Sequence, residues 1–386
     1  MNLSEIINQA GEERASYFNA VSPPLMASSN FSFPSVHEMR EGLKKEFDTP
    51  FYSRGYNPTV AILRKKIALL ESCEDALICG SGSAAVSVAV MSQLAAGDHV
   101  VCVQKPYSWT FKLLNVLLKK YGVETSFIDG TKLENFELAI KSNTKLIFLE
   151  SPNSMTFELQ DIEAVCKLAK SKNIVTIIDN SYSSPLLQAP AQLGVDLIVH
   201  SATKYLNGHS DVVAGVICGS EKKIKKMMSE EWMTLGPVLA PNDAWLLIRG
   251  MRTLEVRMKQ TVLSTQEIVE KLAHHPKVDK IIYPFHPSHP QFELAKKQMK
   301  SGSGLFSLCI KTDDFSGIER FCDALKHILL ACSWGGYESL AFPVCALQST
   351  LSYDNPDLPW NLVRIYIGLE DKELLLHDLL HALDQV

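Results

Sequence analysis

The chain has no Cys-x-x-Cys pair, no internal repeat, no low-complexity tract and no excess of basic residues. Each absence excludes something. Lysine and arginine number 38 against 43 aspartates and glutamates, for a net charge of −5, so no basic surface offers itself to a nucleic acid. No apolar run approaches the roughly 18 residues that a membrane-spanning helix needs. The nine cysteines are odd in number, scattered and never at metal-ligand spacing. In a chain of 386 residues they read as reduced thiols of a cytoplasmic protein, not as a disulfide framework. His274-His275 and the His286/His289 pair lie among polar or proline-rich residues and read as loop histidines, so no metal is expected. The start, Met1 to Glu5, lacks the basic and apolar regions of a secretory signal, and none is expected.

What is present is a hydrophobic fraction of 46% with 21% charged residues, the composition of a globular protein with a large core. The length suits two or three domains. Residues 1–56 carry Pro23-Pro24 and little periodicity, and read as an arm. From Cys73 to Gly219 short apolar strands alternate with helical stretches. Strands are expected at Ala76–Cys79, His99–Val103, Lys145–Leu149, Ile174–Ile178, Asp196–Val199 and Val212–Cys218. Helices are expected at Ser83–Ala95, Trp109–Lys120, Asp161–Lys172 and Lys222–Met233. This alternation predicts an α/β fold with a mostly parallel central sheet over 57–245. One long helical pattern, Asp243–Ala273, leads into a smaller α+β domain over 246–386. There, strands are expected at Leu305–Ile310 and Val363–Ile367, and helices at Gln291–Met299 and Asp371–Leu383. Gln348–Trp360 is polar and proline-bearing and reads as an exposed loop.

The stretch His200-Ser-Ala-Thr-Lys-Tyr205 carries the strongest chemical signal. It follows a buried strand and sets a lysine beside two hydroxyls. An amine can form a Schiff base with an aldehyde, and hydroxyls can bind a phosphate; pyridoxal 5'-phosphate has both groups. Ser81-Gly82-Ser83 stands between a strand and a helix, where free N–H groups suit a phosphate. Asp179 ends a buried strand, where a carboxylate needs a partner; a pyridine nitrogen would serve, as would an ordinary turn cap. Tyr107 starts a helix and is either a ring-stacking residue or a core aromatic. Tyr52 and Arg54 lie in the arm and suit a phosphate. Arg364 sits in the apolar run Leu362 to Gly368 and calls for an anion, either a structural carboxylate or a substrate's.

With these residues placed, the chain resembles the Cys/Met-metabolism (trans-sulfuration) family of pyridoxal-phosphate enzymes. The likeness runs from about Pro23 to the carboxyl terminus. It rests on Tyr52-Ser-Arg-Gly-Tyr-Asn-Pro-Thr59, Ser81-Gly-Ser-Ala-Ala85, Glu150-Ser-Pro152, Asp179-Asn180, Ser201-Ala-Thr-Lys-Tyr205, Gly208-His-Ser-Asp211, Arg249-Gly-Met-Arg-Thr-Leu254 and Ser333-Trp-Gly-Gly-Tyr-Glu-Ser339. The resemblance implies the fold-type-I, aspartate-aminotransferase-like transferase fold and a homotetramer built from dimers. It makes Lys204 the Schiff-base lysine, Asp179 the partner of the pyridine nitrogen and Tyr107 the stacking ring. It implies that Gly82, Ser83, Ser201 and Thr203 hold the phosphate, joined by Tyr52 and Arg54 of the neighbouring subunit. Arg364 and Ser333, with Trp334, would receive the substrate.

Within the family, the tryptophan of Ser333-Trp334-Gly335 is similar to the branch that cleaves cystathionine by β-elimination. Serine at Ser154 points the same way. Cys332 stands where γ-acting members carry glutamate and β-acting members often carry tyrosine. Ser108-Trp109-Thr110 and Ser83 also depart from the family's common pattern. The reaction expected is β-elimination of a sulfur amino acid. γ-Replacement or γ-elimination is the alternative, and a non-catalytic cofactor-binding protein the remote one.

Overall fold

The computed structural model describes residues 1–347 and 358–386. Its first sheet is built from β1 (Asp75–Cys79), β2 (His99–Val103), β3 (Glu124–Ile128), β4 (Thr144–Glu150), β5 (Val175–Asp179), β6 (Leu197–Ser201) and β7 (Gly215–Gly219). Their order is β1-β7-β6-β5-β4-β2-β3. All neighbouring pairs are parallel except those that β7 makes with β1 and β6. The mostly parallel α/β sheet is therefore as expected. The reversal at β7 follows from its connection. No helix crosses over between β6 and β7, so the chain turns back beside the strand it has just left.

The strands bury both faces, with side chains alternating between them. Leu77, Val100, Phe148, Ile177, Val199 and Ile217 pack against the helix Gly82–Met91 on one side. Ala76, Val101, Ile147, Ile178 and Ile198 pack with Leu63, Ile67, Ile162 and Leu247 on the other. β3 was not expected because its Glu-Thr-Ser-Phe-Ile sequence is only half-buried at the sheet edge and carries no apolar run. The stretch expected as a helix over Trp109–Lys120 is a short α-helix, Ser108–Lys112, that widens into a π turn and ends in a 3₁₀ turn at Tyr121.

A second sheet holds β8 (Val278–Ile282), β9 (Leu305–Ile310), β10 (Leu329–Leu330), β11 (Leu340–Pro343) and β12 (Leu362–Tyr366), ordered β10-β11-β12-β9-β8. The single helix expected over Asp243–Ala273 is two, Pro241–Met251 and Leu254–Leu272. The first ends against the turn that carries Lys204: a Cβ on Gly250 would lie 2.2 Å from the Asn207 carbonyl oxygen. Arg257, on the second helix, donates to the carbonyls of Tyr205 and Gly250 at 3.0 and 2.9 Å. Of the loop expected over Gln348–Trp360, residues 348–357 lie outside the described residues; Trp360 packs edge-on against Phe315. Among the described residues no helix is long and apolar enough to cross a membrane.

The arm is more regular than its composition suggested. Asn2 and Glu5 form a capping box on the helix Leu3–Gln9, and a second helix spans Val36–Leu43. The first helix is fastened by Lys66, whose amine donates to the Ile7 carbonyl at 2.8 Å and pairs with Glu12 at 2.9 Å, both side chains fully buried. Burial pulls the Lys66 amine below its ordinary range, and Glu12 opposes that pull. Glu12→Ala strands this buried cation beside Arg252. It is expected to cost about 3–5 kcal/mol, read as a fall in the chemical denaturation midpoint. A midpoint unchanged from the parent would show that the pair contributes nothing.

Candidate active site

β4, β5 and β6 end side by side, so Glu150, Asp179 and Ser201 meet at one edge of the sheet. The turn after β6 returns Thr203 and Lys204 to that edge. The helix Gly82–Met91 starts there too, capped by the Ser81 hydroxyl, which accepts from the Ala84 N–H at 3.0 Å. A cavity opens among these groups, lined by Gly82, Ser83, Tyr107, Glu150, Asp179, Ser201, Thr203, Lys204 and Trp334. The helix comes close because residue 82 is glycine: a Cβ there would lie 2.8 Å from that of Ser201. The first N–H groups of the helix have no acceptor within it and face the cavity end.

Lys204, Asp179 and Glu150 line this space, and Arg364 lies beside its Trp334 wall. The Lys204 amine donates to the Ser333 hydroxyl at 2.5 Å and lies 4.5 Å from the Trp334 ring centre. Burial, reinforced by the charge of Arg364, pulls the amine down to about 8. Arg364 is buried at β12, its guanidinium 5.0 Å from the Trp334 ring and 5.3 Å from Phe342. Among the described residues its hydrogen bonds all come from Nη1, to the Ser154 carbonyl at 3.2 Å and the Met155 sulfur at 3.4 Å. Asp179 accepts the Ser181 N–H at 2.9 Å, and burial raises its carboxyl above the usual range. Burial, then the neighbouring Asp179, pushes Glu150 up to about 8.

Among the described residues none of these four groups forms an ion pair. Among the described residues Arg364 in particular has no carboxylate partner, the contact that the structural one of its two sequence readings calls for. Buried charges without partners are costly unless a ligand supplies the partner. An anionic, aldehyde-bearing ring fits this set. Its phosphate suits the helix start and Ser201, its ring nitrogen Asp179, its aldehyde the Lys204 amine.

The other expected residues divide. Tyr107 stands at the rim, 40% exposed, with Ser83 bonded to its phenol; it is a wall residue, not a core aromatic. The Thr203 hydroxyl is engaged with the backbone of Ala214, accepting at 3.0 Å and donating at 3.3 Å. Tyr52 and Arg54 stack on each other at 5.5 Å on the exposed arm and do not line the cavity of their own chain. Glu150, Ser181 and Tyr182 also line the site and were not singled out as site residues. The signal for Glu150 was available. It is a carboxylate at the carboxyl end of a buried strand, the same feature that marked Asp179.

The fold and this edge define a pyridoxal-phosphate-dependent enzyme. Residues 5–384 match the family described as "Cys/Met metabolism PLP-dependent enzyme". The chain belongs to that family, and its cofactor is pyridoxal 5'-phosphate. The L-methionine gamma-lyase of Treponema denticola is 37% identical over 377 residues, covering 96% of this chain and 94% of that one. The cystathionine beta-lyase of Lactococcus lactis subsp. cremoris is 35% identical, covering 95% and 94%. The crystal structure of metB from Corynebacterium glutamicum superimposes with a TM-score of 0.93 at 35% identity, over 100% of this chain and 98% of that one.

The amine must be unprotonated to attack the cofactor's aldehyde. Cofactor uptake by the apo-protein is therefore expected to accelerate with pH and level off above about 8, where the Lys204 amine is free. Arg364→Ala removes a positive neighbour and is expected to move the midpoint upward. Stopped-flow absorbance of the bound cofactor checks both. A rate independent of pH between 6 and 9, roughly the span the shift covers, contradicts the assignment.

Proposed function

We propose that this carbon–sulfur lyase acts by β-elimination on a sulfur amino acid of the cystathionine type, with water giving a thiol, pyruvate and ammonia. The observation that carries the reading is the position of Trp334. Its ring centre lies 5.0 Å from the Arg364 guanidinium and 4.5 Å from the Lys204 amine. A substrate carboxylate held by Arg364 then lies across a short, walled span from the amine, with Cα and Cβ nearest to it.

Each residue has a part in that reading. The Nε and Nη2 of Arg364, which make no hydrogen bond among the described residues, bind the substrate carboxylate as a fork. Lys204 removes the proton from Cα and returns one to the departing sulfur. Ser333 holds the amine in line between those steps. Asp179 keeps a proton on the ring nitrogen, and Tyr107 covers the ring. Gly82, Ser83, Ser201 and Thr203 grip the phosphate. When bound, the cofactor supplies an electron sink conjugated to Cα.

The same reading places Tyr52 and Arg54 at a neighbouring subunit's phosphate in a homotetramer built as a dimer of dimers. Phe18, Val21 and Val36 support it, being 101%, 82% and 73% exposed in a single chain. The arm, large domain and small domain at 1–56, 57–245 and 246–386 belong to this proposal. So does a cytoplasmic location, which the free state of all nine cysteines supports. The second reading is γ-elimination, favoured by the likeness to L-methionine gamma-lyase at 37% identity. The test is to supply L-cystathionine and L-methionine separately and identify the keto acid. Pyruvate from cystathionine, with methionine untouched, is expected. 2-Oxobutyrate from either substrate overturns the β reading.

A further inference from the structure

Glu150 is buried at the end of β4, directly beside Asp179 across the parallel pair, so both side chains face the same way. Its two oxygens serve two different parts of the site. Oε2 accepts the backbone N–H of Tyr107 at 2.7 Å, and Oε1 accepts that of Ser154 at 3.2 Å. The Ser154 carbonyl in turn receives the Arg364 guanidinium at 3.2 Å. Two N–H donors on segments about 45 residues apart thus converge on one carboxyl. A carboxyl offers an acceptor at each oxygen, whereas a carboxamide has only one, its nitrogen being a donor. Burial and Asp179 push the group up to about 8, and the two accepted N–H bonds draw it back down.

We infer that Glu150 is a positioning residue that sets the cofactor-covering ring and the substrate-binding arginine together, through the backbone of Tyr107 on one side and of Ser154 on the other. The inference rests on the roles proposed above for Tyr107 and Arg364, and not on which bond of the substrate breaks. Glu150→Gln turns one accepted N–H bond into a clash of donors. It is expected to weaken cofactor binding and to raise KM, each by about tenfold, the scale of one buried donor left unmade.

The test is a pair of double-mutant cycles on the full-length protein. Cofactor affinity is measured by equilibrium dialysis of pyridoxal 5'-phosphate. KM is measured with whichever sulfur amino acid the enzyme turns over. The affinity loss from Glu150→Gln is expected to vanish in a Tyr107→Ala background, which keeps the backbone N–H but has no ring to place. The KM increase is expected to vanish in an Arg364→Ala background. Losses that persist in full in both backgrounds overturn the inference, as does a Glu150→Gln chain with wild-type affinity and KM. Should that chain fail to fold, Glu150→Asp is the second variant. It keeps the acid, is one methylene too short to reach both N–H groups, and shows the same two losses if the inference holds. A 2-oxobutyrate product would defeat the β-elimination reading and leave these cycles untouched.

Discussion

Lys204→Ala is expected to remove turnover, with kcat falling by at least roughly 10³-fold, the scale of a lost general acid–base. The structure gives the reason. Among the described residues the Lys204 amine is the only one lining the cavity. It is held by Ser333 at 2.5 Å and lies against the Trp334 face, so no other side chain of the cavity stands ready to take its place. Its pull down to about 8 means that near neutrality a useful fraction is already a free base. In the proposed function the lost group is both the covalent anchor and the proton carrier, so the two effects do not add as independent terms. Cofactor retained by the variant without turnover, seen by absorbance, separates lost chemistry from lost folding. Full lyase activity in the variant would remove Lys204 from the reaction.

The second large effect falls on substrate binding. Arg364→Ala is expected to raise KM by about 30- to 1,000-fold, the equivalent of roughly 2–4 kcal/mol for removing a bidentate guanidinium–carboxylate fork from a buried site. kcat is expected to change less, because the amine and the ring partner stay in place. Trp334 and Phe342 both rest on the guanidinium, so part of the loss is packing. Arg364→Lys separates the contributions. It keeps the charge but loses the fork, and its KM should stay close to that of the alanine variant. A KM within twofold of the parent would mean that Arg364 is structural.

The groups at the strand ends were legible before any coordinates. Lys204 and Asp179 announce themselves because a polar, reactive side chain directly follows a buried apolar run. Gly82 does so through the strand–turn–helix context. What escaped depends on distances that spacing does not encode. Glu150 carries the same strand-end signal, but its meaning lies in Tyr107 and Ser154, one of them 43 residues away. The stacking of Arg364 and Lys204 on one indole joins three segments that no periodicity relates. The reversed direction of β7 also escaped, since an apolar run looks the same read either way. Gly250 lies near the helix break, and the carbonyl it makes room for belongs to the Lys204 turn.

The cavity draws its two sides from separate sheets. Gly82, Asp179, Ser201 and Lys204 come from the edge of the first; Trp334 comes from the segment between β10 and β11 of the second, and Arg364, which rests against it, from β12. A lineage can therefore rewrite one side while inheriting the other intact. On the proposed function, drift at Trp334 would change which bond is presented to the amine while leaving the groups at the first sheet's edge in place. Reaction type in such a protein is a property of a few replaceable wall positions. Overall likeness to relatives dates the ancestry and leaves the substrate to be read from that wall.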